Sequence, residues 1–120
     1  MSERDHQLAL EDIIASIERI ERFTSQLDAN SFANDEMASD ATILNLAIIG
    51  EAAKLIPDEI KTLMPSIVWK DVVGLRNIII HKYFAVDLAI IWRIVSQDLP
   101  QLKSNVQKAL THLNQPHGSN

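Results

Sequence analysis

Residues 10–27 read LEDIIASIERIERFTSQL, and Leu10, Ile13, Ile14, Ile17, Ile20, Phe23 and Leu27 recur there at steps of three and four. That spacing lays one apolar stripe along a helix of about five to seven turns, with acidic and basic residues on the other faces. Ser2-Glu3-Arg4-Asp5 ahead of it has the pattern of a capping box, with Asp in the place more often taken by Glu or Gln. Asp28-Ala29-Asn30-Ser31 has turn chemistry and is expected to end the helix. A second stripe runs Met37, Ala41, Leu44, Ile48, Ala52 and Leu55, and stops where Ile56 meets Pro57. Pro57 opens a short segment that Pro65 closes, and Ser66 is placed to cap a third main helix from Ile67 to His81 or Tyr83. Asp87 caps a fourth helix to Gln97, and Asp98, with Pro100 in the first turn, starts a fifth. The fold read from this pattern is all-α, an antiparallel bundle of four to five helices. Residues 1–113 form its one domain, and the polar residues 114–120 form a tail expected to fray.

The composition agrees. The chain has 120 residues, 47% of them apolar and only 5% aromatic, so its core is aliphatic. It has no cysteine, which removes disulfides, thiolate metal sites and a thiol nucleophile. Three glycines and four prolines are too few for a turn-rich β-sandwich. The polar, acidic N-terminus is no secretory signal, and no apolar run reaches the ~18 residues of a membrane span. A cytoplasmic protein with no membrane role is the expectation. The net charge of −5 is unevenly spread. Residues 1–53 carry eleven acidic and three basic side chains, residues 54–120 five acidic and eight basic. A mildly basic second half permits a local positive surface beside a phosphate, although ordinary solvated helix faces account for it better.

The third helix is unusual, because Ile78, Ile79 and Ile80 spread around most of its circumference at about 100° per residue. A helix apolar on most sides is buried on most sides. Either it is wrapped by the other helices, or a second copy of the chain covers it in a two-fold dimer, which is the more economical solution. Within this stretch sit Arg76, Asn77, His81 and Tyr83. On a regular helix Asn77 and His81 share a face, whereas Arg76 and His81 diverge by about 140°. Arg76 and His81 therefore meet near a helix end or across a dimer axis. The plainer readings are a histidine placed against a helix C-terminal dipole, an arginine tied to Glu51 or Asp71, and a core tyrosine.

Arg76, Asn77, His81 and Tyr83, in the pattern R-N-x-x-x-H-x-Y, resemble the signature of the HepT-like toxins of the HEPN superfamily. Ile49-Gly50-Glu51-Ala52-Ala53, Pro65, Val68-Trp69, Val86-Asp87, Trp92 and Leu99-Pro100 flank it as in that family, so the resemblance spans about residues 5–110. It implies a homodimeric helical toxin from a toxin–antitoxin pair, a metal-independent endoribonuclease with a composite Arg/His site at the dimer interface. Carried over, His81 is the general base or acid, Arg76 neutralises phosphoryl charge and Asn77 orients the phosphate or the histidine. Gly50 and Glu51 support the site from the facing helix. The implied partner is a minimal nucleotidyltransferase antitoxin that transfers AMP to Tyr83. No cofactor is called for: His6, His112 and His117 are scattered, and no carboxylate spacing completes a metal site with His81. No motif for reading DNA is present. Two other classes remain: a non-catalytic interaction module that presents Tyr83 to the nucleotidyltransferase, and a dimer that binds a free nucleotide without cutting RNA.

Overall fold

The computed structural model describes residues 2–78 and 86–115. Helix α1 runs Glu3–Thr24, and its predicted cap is formed: Ser2 Oγ accepts from the Asp5 amide at 3.2 Å while Asp5 Oδ2 accepts from the Ser2 amide at 3.0 Å. The stripe is buried as read, with Leu10, Ile13, Ile17 and Ile20 at zero exposure, although Phe23 at its end is exposed. Asp28 does not merely end the helix. Its carboxylate accepts from the Ser31 amide at 2.8 Å and so caps a short helix, α2, Ala29–Ala33. The hydrogen bonds from Ser31 hold the Asp28 carboxyl below its ordinary pKa. The Phe32 ring of α2 is fully buried and lies 5.2 Å from Trp92.

Helix α3, Glu36–Ala53, corrects the second stripe read from the sequence. Met37, Leu44, Ile48 and Leu55 face outward, Met37 at 85% exposure. The inward face is instead Ala38, Ser39, Thr42, Ile43, Asn45, Leu46, Ala47, Ile49, Gly50 and Ala53, with Ala52 buried as the stripe predicts. This helix is apolar on two sides, and periodicity alone cannot say which side meets α1. Smaller side chains face α1, with Ser16 buried and Arg19 Nη1 lying 3.3 Å from both Ser16 Oγ and Asn45 Oδ1. Met37, Leu44 and Ile48 are left outside.

Between Pro57 and Pro65 lies the short helix α4, Asp58–Lys61. Helix α5, Trp69–Gly74, starts later than expected and tightens into a 3₁₀ turn over Leu75–Asn77. Ser66 is not its cap: the flanking residue is Val68, and Ser66 Oγ reaches Asn105 Oδ1 at 3.4 Å. Helix α6, Leu88–Arg93, is capped by Asp87, which accepts from the Ala89 amide at 2.9 Å. It passes without a break through a widened π-type turn, Ile94–Asp98, into α7, Leu99–Leu113. Asp98 makes no capping bond and keeps helical angles, so the expected break between two helices is a bulge. Pro100 has no N–H to give, and its ring would press on the Ser96 carbonyl in a regular helix; widening the turn absorbs both faults. Lys103 of α7 ties back to α1, with Nζ 2.9 Å from Glu21 and 4.0 Å from Glu18. That hydrogen bond raises the Lys103 pKa.

The main core lies where α1, α3 and α7 meet, completed by Phe32, Ile60 and Met64. No helix among the described residues is long and apolar enough to cross a membrane. A contrast runs through the described part of residues 65–98: Ile91 alone is buried there. Val72, Val73, Leu75, Ile78, Val86, Leu88 and Ile94 pack against the core but stay partly open.

Candidate functional site

Gly50 brings the site together. A methyl group on its Cα would stand 2.5 Å from the Arg76 backbone nitrogen and 3.0 Å from the Val73 carbonyl. Only a hydrogen in that position lets the backbone of α3 touch the turn that carries Arg76. The 3₁₀ geometry of that turn advances about 120° per residue rather than 100°, so the regular wheel stops holding at Arg76. From there Arg76 Nε lies 3.2 Å from Glu51 Oε1, the side chains being 38% and 57% exposed. The second carboxylate oxygen, Glu51 Oε2, lies 3.6 Å from Lys54 Nζ. One carboxylate thus stands between two cations, at a position open to solvent.

Asn77 follows Arg76 on the same turn and is exposed. It borders a different hollow, of about 320 Å³, walled by Gly74, Ile78, Val86, Ile90 and Ile94. Gly50, Glu51 and Arg76 are therefore brought into contact, whereas Asn77 lines the neighbouring face. His81 and Tyr83 lie outside the described residues, as do Ile79 and Ile80. Of the other histidines, His6 lies early in α1 and His112 in the last turn of α7.

The match to known proteins covers this assembly. Residues 13–109 match the family described as "Ribonuclease HepT-like". The chain belongs to that ribonuclease family. It is 43% identical over 107 residues to "Putative RNase MJ1380" of Methanocaldococcus jannaschii, a match covering 89% of this chain and 98% of the relative. It is 42% identical over 105 residues to "Probable ribonuclease HepT" of Thermococcus cleftensis, covering 88% and 96%. It is 32% identical over 101 residues to "Putative RNase TTE0752" of Caldanaerobacter subterraneus, covering 84% and 90%. No solved structure matches.

Within this HepT-like chain the tie between Arg76 and Glu51, one of two partners the sequence offers for the arginine, is formed. Lys54 is the residue that sequence reasoning misses. Its signal is the i,i+3 spacing to Glu51, which is common on any helix surface and so carries little information. The outward stripe of α3 is visible in the sequence too, where its spacing reads as core.

The close approach at Gly50 has a measurable consequence. Gly50→Ala forces α3 and the Arg76 turn apart and lowers stability by about 1–3 kcal/mol, the usual cost of overpacking. Gly74 has the same residue type and helical angles (φ −63°, ψ −17°), with nothing within 4 Å of the place a methyl group would take. Gly74→Ala gains ~0.4–1 kcal/mol by restricting the unfolded chain. Urea unfolding of the two variants separates them: opposite signs are expected, and equal midpoints would mean the contact at Gly50 is slack.

Proposed function

We propose that this HepT-like ribonuclease is the toxin of a toxin–antitoxin pair, that it acts as a homodimer, and that it cuts RNA without a metal ion. The observation that carries the reading is Arg76: its backbone pressed against Gly50, its side chain beside Glu51, and its guanidinium open to solvent. Around it lies apolar surface that one chain leaves uncovered. The outward stripe Leu44, Ile48 and Leu55 is 38–50% exposed. A second copy laid across α3 and the partly open α5 and α6 would cover this surface and bring two copies of the Arg76 turn to one cleft.

In that cleft Arg76 binds the scissile phosphate and offsets the charge that grows on its oxygens. His81, five residues on, takes the proton from the ribose 2′-hydroxyl or returns one to the leaving 5′-oxygen. The 2′-oxygen then bonds to phosphorus as the P–O5′ bond breaks, leaving a cyclic phosphate and a 5′-hydroxyl. Asn77 orients the phosphate or the histidine. Gly50 and Glu51 position Arg76. Control comes from a minimal nucleotidyltransferase antitoxin that transfers AMP to Tyr83. The added phosphate charge competes with RNA for Arg76, and the nucleotide fills the mouth of the cleft.

Three experiments test this reading. Bacteria expressing the wild type without a partner stop growing and accumulate RNA with discrete new 5′ ends, while Arg76→Ala and His81→Ala do neither; harmless wild type with intact RNA defeats the ribonuclease toxin. Placing charge on the outer face of α3, in Leu44→Glu with Ile48→Glu, gives a folded monomer by sedimentation, without cleavage. A double variant that remains dimeric puts the interface elsewhere. Tyr83→Phe stays toxic when the antitoxin is co-expressed, so survival of those cells argues against AMP transfer as the control.

A further inference from the structure

We propose that Lys54 is a second phosphate-binding residue, taking the phosphate next to the one held by Arg76 on the same RNA strand. The inference rests on the reading of Arg76 as a phosphate ligand and extends it along the substrate. Three observations carry it. The two oxygens of Glu51 face different cations, Oε1 towards Arg76 Nε at 3.2 Å and Oε2 towards Lys54 Nζ at 3.6 Å. The group therefore holds one negative and two positive charges, and an excess cation remains for an incoming anion. The shared carboxylate also draws both cations to one place, so that one strand can meet both. Finally, the Lys54 and Glu51 side chains are 42% and 57% exposed, so a strand can reach them without rearrangement of the core.

Helix geometry places Lys54 apart from the apolar stripe. At about 100° per residue, Glu51 falls between Ile48 and Lys54 around α3. Lys54 thus stands about 120° around α3 from Ile48, on the side where Gly50 meets the Arg76 turn. A lysine at the end of α3 is also favoured by the helix dipole, and the exposed i,i+3 pair contributes little to stability. Neither effect predicts any dependence of RNA binding on this side chain.

The test uses full-length His81→Ala protein, which holds RNA without cutting it, and a short single-stranded RNA with a 5′ fluorophore. Affinity is measured from ~50 to ~200 mM salt, with and without Lys54→Met. Lys54→Met weakens binding several-fold at the low end. It flattens the plot of log affinity against log salt by about 0.7, the value for one phosphate contact on a single strand. Lys54→Arg keeps the original slope. With His81 restored, Lys54→Met raises KM and leaves kcat in place. The same pair is then compared in a Glu51→Gln background, where no carboxylate competes for Arg76. There Lys54→Met still flattens the slope; if its effect disappears, Lys54 acts only by drawing Glu51 away from Arg76 and the proposal is overturned. An unchanged slope overturns it as well while leaving the ribonuclease reading intact. Absence of both RNA binding and wild-type cleavage overturns the two together.

Discussion

The contact of Gly50 with the backbone of Arg76 is the constraint on which the arrangement depends. Helix α3 is held by α1 along one face, through the Ser16–Arg19–Asn45 cluster and the buried Ile43, Leu46 and Ile49. Its last turns then meet the chain carrying Arg76 at a distance no side chain would allow. Once that approach is made, Glu51 is the next residue along and falls beside the guanidinium. The turn carrying Arg76 is thereby held against a helix, which suits the phosphate-binding role proposed for it.

The second feature is the uneven distribution of burial. Packing around α1, α3 and α7 is dense, with Leu10, Ile13, Ile17, Ile20, Phe32, Leu46, Ile49, Met64 and Val106 fully buried. From Pro65 to Asp98 only Ile91 among the described residues is buried at all, although the segment is rich in Val, Leu and Ile. Such surface is costly to leave in water at roughly 25 cal/mol per Å². The proposed dimer removes this cost and places the site on the newly formed boundary. Stability and activity would then share one interface.

Charge follows the same division. The acidic excess of residues 1–53 belongs mostly to α1 and α3, where Glu18 and Glu21 engage Lys103. Glu51 is an exception, an acidic residue drawn into a cluster with two cations. It limits the local positive potential and at the same time orders the groups that produce it. In the proposed complex an RNA phosphate has the Glu51 carboxylate to outcompete there.

Much of this was legible in the sequence. The all-α class, the α1 stripe, the caps at Ser2 and Asp87 and the proline-bounded segment all follow from local rules of spacing, propensity and side-chain reach. Local rules failed where two local solutions were equally good. Helix α3 has apolar residues on two faces, and only its packing against α1 shows that Ile43, Leu46 and Ile49 lie inside while Leu44 and Ile48 lie outside. Asp98 has cap chemistry, yet the chain keeps its helical path and widens around Pro100, because α7 is already docked on α1. The 3₁₀ turn at Leu75–Asn77 shifts the phase at Arg76 and Asn77, which no regular wheel anticipates. By itself the sequence determined the helical class, the family signature and the chemistry available, since these depend on neighbours a few residues away. Which face of α3 is buried, and that Gly50, Glu51, Lys54 and Arg76 share one place, was decided by the tertiary structure, because it depends on contacts between residues more than twenty positions apart.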